Sequence, residues 1–203
     1  QAMRERDGEF FQHPHWGLLW HDPQIEPRPY EEMPLWRFWP DLELFSIRSS
    51  WEDDATALVF KCGPVGGHTM QKLRFAEHRK SHYINVAHDH PDQNHFLLYA
   101  HGEMLAEDDG YPKKTKLTRN HNTLTVDGKG QPREGTGWQQ PFAYEKTGRL
   151  RDVFLAGATA FATGDAGPCY EGAEACLRHI AFVDGAYVIV LDDLEGAGRE
   201  AHD

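Results

Sequence analysis

No stretch of this chain approaches the ~20 consecutive apolar residues that a membrane-spanning helix needs, so no segment reads as a helical membrane span. Basic residues are scarce. Lys and Arg number 21 against 32 Asp and Glu, a formal net charge of -11 at pH 7. That balance argues against nucleic acid, or any generic polyanion, as a partner of the whole surface. It leaves room for an anionic sugar held in a locally basic cleft. Cysteine is sparse as well: Cys62, Cys169 and Cys176 are the three in 203 residues, too few for a disulfide framework. Two readings stay open, three reduced semi-buried thiols or a small loop closed between Cys169 and Cys176 in an oxidising compartment. No secretory leader is legible, because Gln1-Ala2-Met3 runs directly into Arg4-Glu5-Arg6; this assigns no compartment. Gly63-Pro64-Val65-Gly66-Gly67-His68 lacks the Gly-Lys-Ser/Thr ending of a phosphate loop, and no helix is expected after it. There is no Gly-x-Ser-x-Gly elbow and no cysteine in a nucleophile context.

What is present points to strands. Aromatic residues make up 12%, with six Trp and eleven Phe, which suits a β-rich core. Residues 1–34 read as a lead-in broken by Pro14, Pro23, Pro27, Pro29 and Pro34. From Leu42 the apolar period becomes two, over Leu42 to Arg48 and again over Thr56 to Lys61. Gln71 to Asn85 shows no period and reads as a long loop. His95 to Ala100 and Glu103 to Ala106 form a strand pair about His101-Gly102. Asn122 to Val126 reads as a further strand, closed by the hairpin signal Asp127-Gly128. Val153 to Thr163 alternates small and apolar residues. Leu177 to Val183 and Ala186 to Leu191 flank a second such signal, Asp184-Gly185. The expected class is all-β, an antiparallel β-sandwich over 35–203. A further strand is expected after Gly196-Ala197-Gly198, so the domain reads as truncated at its C-terminus.

Thirteen His are present, with a cluster between His68 and His121. His88-Asp89-His90-Pro91, Asp108-Asp109-Gly110-Tyr111 and His121-Asn122-Thr123 each lie at a strand end. Pro91 discourages regular pairing, which places His88 and His90 in a loop at a strand mouth. Together His90, Asp108 and His121 offer two imidazoles and a carboxylate, borderline ligands of the kind Zn²⁺ takes, and leave at least one open position. Such a site is catalytic or architectural; the bland alternative is a set of unconnected polar loop residues. His88 is left beside the site as base, charge neutraliser or hydrogen-bond partner of a ligand. Tyr111 is a candidate proton donor or acceptor, or packing. Arg119 is a candidate for meeting a substrate carboxylate, or solvated surface.

The ordered set Ser46-Ile47-Arg48-Ser49-Ser50-Trp51, Phe60-Lys61-Cys62-Gly63-Pro64, His88-Asp89-His90-Pro91-Asp92-Gln93-Asn94-His95-Phe96, Gly102-Glu103-Met104-Leu105-Ala106-Glu107-Asp108-Asp109-Gly110-Tyr111 and His121-Asn122-Thr123-Leu124-Thr125-Val126-Asp127-Gly128-Lys129-Gly130-Gln131 resembles the heparinase II/III-like polysaccharide lyases. The oligoalginate lyase branch is the nearest in pattern. The resemblance implies a C-terminal antiparallel sandwich, a fragment of a larger toroid-plus-sandwich lyase whose N-terminal α/α toroid would precede this chain. It implies a zinc held by His90, Asp108 and His121, structural or shaping the cleft floor, with His88 as the sandwich-borne catalytic histidine. The implied reaction is β-elimination at a uronic acid of a polysaccharide or oligosaccharide such as alginate or a heparan-like chain, in a periplasmic or secreted enzyme. The toroid carries other catalytic groups in relatives, so the isolated domain is expected to be inactive alone, with Tyr111 a substitute candidate. Two competing readings are a non-catalytic carbohydrate-binding sandwich and a zinc-dependent hydrolase or cupin-like metalloenzyme using the open metal position.

Overall fold

The computed structural model describes residues 19, 22–26, 28–77, 89–108, 116–135 and 144–196. The chain divides into two compact units, Gln1–Met33 and Pro34–Asp203. In the first, Tyr30–Glu32 forms a 3-10 turn.

Nine described strands make two antiparallel sheets. The first sheet runs in chain order through β1 (Trp36–Trp39), β2 (Leu44–Arg48), β3 (Ala57–Lys61), β4 (His95–Ala100) and β5 (Glu103–Ala106). The second does the same through β6 (Arg149–Ala156), β7 (Thr159–Asp165), β8 (Ala173–Val183) and β9 (Tyr187–Gly196). Each sheet is an up-and-down meander. The alternation visible in the sequence becomes alternation of burial: β2 and β3 bury every second residue, as does most of β8. Phe45, Ile47, Leu58 and Phe60 from the first sheet and Ala160, Ala162, Ile180 and Phe182 from the second form one core. The Phe45 and Phe60 rings meet edge-on at 5.9 Å. The small residues of β7 let this packing close, because alanines there face the large rings.

The hairpins follow their turn chemistry. Asp184 (φ 49°) and Gly185 (φ 70°) turn β8 into β9, and His101 (φ 54°) and Gly102 (φ 82°) turn β4 into β5, both with the paired positive φ of a type I′ turn. Asp127 and Gly128 make the same turn, but the strand expected over Asn122 to Val126 does not form. Only the isolated bridge Val126–Lys129 does. One further expectation is corrected, and one strand was not read. An α-helix, α1 (Gly67–Glu77), follows the Gly/Pro loop and occupies part of the stretch read as a loop. Trp36–Trp39, unread in the sequence, is the edge strand β1, with Trp36 opposite Ile47.

A smaller buried cluster of Cys62, Ala166, Cys169, Tyr170 and Cys176, with Leu124 and Val126 against it, lies at one end of the sandwich. All three thiols are buried and unpaired with one another. Burial pushes Cys169 and Cys176 up to about 12 and Cys62 well above its ordinary value. They are packing groups, in line with the reduced-thiol reading.

Candidate metal centre

Pairing fixes which groups meet at this end of the first sheet. Leu44 lies opposite Lys61, and Lys61 opposite His95. The loop 89–94 therefore enters β4 directly beside the end of β3. Asn94 (φ 61°) makes the bend into the strand, a conformation its short amide tolerates. The Asn94 side chain donates to the Cys176 carbonyl at 3.1 Å, which ties the bend to the second sheet.

Two ionic anchors hold the loop. Lys61 Nζ donates to both carboxylate oxygens of Asp92, at 2.8 and 2.9 Å. Burial opposes charge on both groups, but their mutual attraction outweighs it: Lys61 is raised and Asp92 lowered from their ordinary values. Arg178, 5% exposed on β8, grips Asp192 with two bonds of 2.7 and 2.8 Å. The same guanidinium donates to the backbone carbonyls of Asn94 (2.8 Å) and Asn122 (2.6 Å). Gln131 adds a third clamp. Its amide accepts from Gln93 N–H at 2.7 Å and donates to Gln93 O at 2.9 Å and to the Tyr170 hydroxyl at 2.8 Å. None of Arg178, Gln131 or Asn94 was singled out from sequence, since their role depends on backbone carbonyls brought from elsewhere.

The structure places the expected ligands as follows. His121 follows the 3-10 turn Thr118–Asn120, and its side chain is fully buried. Its Nδ1 lies 3.0 Å from Asp108 Oδ1, and its Nε2 lies 3.3 Å from His90 Nδ1. His90, Asp108 and His121 thus form one continuous chain of contacts. Arg119 is exposed on the same 3-10 turn. His88 and Tyr111 lie outside the described residues.

The sequence reading missed His95. One ligand atom each of His95, Asp108 and His121 lies within 4.8 Å of the others. His95 Nε2 is 3.4 Å from Asp108 Oδ2. The only hint in the sequence was its position beside Asp92 in a histidine-rich loop. Its tautomer follows from its other nitrogen. His95 Nδ1 accepts the Asn122 backbone N–H at 3.0 Å, and a peptide N–H is always a donor. A neutral His95 therefore carries its proton on Nε2. That nitrogen is buried and makes no hydrogen bond; it aims an N–H at the carboxylate. Burial pushes His95 down to about 4, with Asp92 and Asp108 opposing and His121 reinforcing. Burial also lowers His90, opposed by Asp92 and reinforced by His121 and Lys116. Both rings are neutral at pH 7.

Two imidazoles and a carboxylate are the donor chemistry that a divalent ion takes; the described ligand atoms that lie within 4.8 Å of one another belong to His95, Asp108 and His121. Atoms bound to one tetrahedral centre at about 2.0–2.1 Å stand about 3.4 Å apart, and the Asp108 Oδ1–His121 Nδ1 contact of 3.0 Å is near that spacing. His121 faces Asp108 with Nδ1 and His90 with Nε2, so an ion held by all three residues requires one of the imidazoles to turn. His95 has a proton where a ligand needs a lone pair, which makes it the partner of a ligand rather than a ligand.

Comparison with known proteins agrees with this architecture. The family model described as Heparinase II/III-like, C-terminal, matches residues 37–202. None of the curated proteins matches the chain. Among solved structures, the heparinase III described as the BT4657 gene product, with methylated lysines, is similar at a TM-score of 0.56 and 21% identity over 80% of this chain. The heparan sulfate lyase HepC from Pedobacter heparinus is similar at 0.55 and 20%, again over 80%. A further heparinase III gives 0.54 and 15% over 79%. The chain spans 22% of the length of each of these proteins.

Proposed function

We propose, from the premise that this chain belongs to the heparinase II/III-like family as its C-terminal domain, that it is the sandwich of a polysaccharide lyase that breaks uronate-containing chains by β-elimination. The observation that carries this reading is the meeting of His90, Asp108 and His121 at one end of the sandwich. These three residues hold a divalent ion, with zinc favoured by the mixed imidazole and carboxylate set. Bound there, the ion supplies positive charge and a fixed geometry to the floor of the cleft. His95 Nε2 faces Asp108 Oδ2 at 3.4 Å, and the Asn122 backbone N–H fixes the His95 ring.

In β-elimination a group neutralises the C6 carboxylate, a base takes the C5 proton, and O4 leaves with a proton. His88 is the base or the neutraliser, two residues before His90. Arg119 is exposed two residues before His121, where a guanidinium meets a carboxylate bidentately. Tyr111 is a candidate proton donor. Residues 1–34 lead in from an N-terminal toroid that supplies further catalytic groups, so the domain alone turns over poorly. The observed division at Met33–Pro34 supports that boundary, and the match to only 22% of each solved neighbour's length supports a larger parent. The parent is secreted or periplasmic, where such chains are met.

The test is an assay of the parent protein on alginate and on heparan-type chains side by side. Lyase action produces a C4–C5 double bond with ultraviolet absorbance, and hydrolysis produces none. The expected result is unsaturated product on one class of chain, lost in His88→Ala. Reducing ends formed without absorbance would establish a hydrolase instead. Binding without cleavage by the parent would establish a carbohydrate-binding sandwich.

A further inference from the structure

A second cluster of hydrogen-bonded titratable side chains lies at the same end of the sandwich, outside the metal centre. The Tyr144 hydroxyl bonds to His68 Nδ1, with the two rings 5.7 Å apart. His68 Nε2 lies 2.5 Å from Glu43 Oε1. The other oxygen of Glu43 accepts the Leu150 backbone N–H. Arg149 stands 3.9 Å from Glu43, and its guanidinium lies 4.3 Å from the centre of the Tyr144 ring. The order is phenol, imidazole, carboxylate, with a cation over the phenol.

The position of Glu43 is informative. Its φ is 47°, a left-handed conformation in which a longer side chain is uncommon and costs free energy. Glycine or asparagine would relieve that cost, but neither would place a carboxylate on His68. The Glu43 side chain is 12% exposed and both its oxygens are engaged. It also sits next to the metal-centre loops. Glu43 O accepts Cys62 N–H at 3.1 Å, and Cys62 follows Lys61, the residue opposite His95. Gly148, between Tyr144 and Arg149–Leu150, packs so closely on Cys62 and Gln93 that no side chain would fit.

We propose that Tyr144, His68 and Glu43 form a proton-transfer site for the uronate substrate, with Tyr144 as the group that touches it. This rests on the lyase reading above. The Tyr144 proton points to His68, which leaves lone pairs of the phenol oxygen as the acceptor. The C5–H bond breaks and its proton passes to Tyr144 Oη. Its electron pair forms the C4–C5 double bond, and the C4–O4 bond breaks. The original Tyr144 proton moves onto His68 Nδ1, where Glu43 balances the imidazolium. It returns through Tyr144 to O4, so one proton leaves C5, one reaches O4, and nothing is oxidised or reduced. His88 then has the neutralising role.

The test has a chemical arm and a kinetic arm. Phenylmethanesulfonyl fluoride reacts with a phenol whose proton has a base to go to: the S–F bond breaks, an S–O bond forms, fluoride leaves and the proton goes to the base. Peptide mass spectrometry of the native protein should show Tyr144 labelled about tenfold faster than the exposed Tyr187, and His68→Gln should remove that advantage. Glu43→Gln, with its fold checked by circular dichroism, should slow labelling in the same direction and serves if His68→Gln does not fold. Equal labelling of Tyr144 and Tyr187, or rates unchanged in a folded variant, would overturn the relay. In the parent protein, Tyr144→Phe should lower kcat about 10²–10⁴-fold with KM within about twofold. Full turnover in that variant would overturn the catalytic role. If the wild-type parent cleaves no uronate chain, the lyase reading and the substrate assigned to Tyr144 fall together, while the labelling rates still decide the relay.

Discussion

At the scale of single residues, the centre is governed by which nitrogen of each imidazole is committed elsewhere. The Asn122 N–H takes His95 Nδ1 and so determines that His95 supports Asp108. Its neutrality has a cost at low pH. Its folded value is depressed to about 4 against an unfolded value near 6.5, so the unfolded chain takes up the proton first. The stability present above about pH 6.5 is therefore lost as pH falls towards 4. The loss amounts to at most about 3 kcal/mol at 1.36 kcal/mol per unit. Urea unfolding of the chelator-treated protein at pH 7, 5.5 and 4.5 should show this decline, and His95→Gln should flatten it. The Lys61–Asp92 pair gives a second check. Lys61→Met leaves the Asp92 carboxylate buried without a partner, which should cost about 3 kcal/mol, the low end for a broken buried pair because Lys61 is 24% exposed. Lys61→Met with Asp92→Asn should recover part of that loss, which a double-mutant cycle reads directly.

At the scale of elements, legibility followed the source of each element's stabilisation. β2, β3, β4, β5, β8 and β9 bury alternate apolar residues or close on Asp-Gly and His-Gly turns, and period two with turn chemistry was enough to read them. α1 is different. It buries Gln71 and Arg74 and exposes Leu73, so its inner face is polar and leaves no apolar stripe. Its N-terminal N–H groups are capped by Asp41, through its carbonyl to His68 and its carboxylate to Thr69, a partner far back in the chain. No local sequence signal records that. The expected strand at Asn122–Val126 failed for the converse reason. Asn122 and Thr123 put their polar groups into Phe96 O, Glu107 O and Gln93 O, while Leu124 and Val126 pack on the cysteine cluster. The result imitates alternation without a ladder. The close fit of β7 under the site loop is testable. A Cβ at Gly164 would fall 2.0 Å from Asn94 Oδ1 and 2.8 Å from Phe60, so Gly164→Ala should destabilise by about 2 kcal/mol. An equilibrium unfolding curve within error of wild type would show that the Asn94 bend yields freely.

At the scale of the whole molecule, two meanders close on one core, and Arg178 and Asn94 lock the second sheet to the loops that carry the centre. The sandwich class was readable because alternation is a property of short segments. The joining of Asp108 to His121 was readable only as an expectation from motif order, since their approach depends on irregular backbone brought together by contacts such as the Asn122 amide donating to Glu107 O. His95 was hinted at only by its place in a histidine-rich loop, and Arg178 and the Tyr144–His68–Glu43 cluster were not readable, because each is defined by a partner's orientation. The central claim is that His90, Asp108 and His121 enclose one divalent ion. Anomalous diffraction at the zinc edge from crystals grown with zinc tests it most directly. The account predicts one peak bonded to those three side chains, with His95 outside bonding distance. A zinc-saturated crystal with no peak there, or with a peak ligated through His95 and not His90, would contradict it.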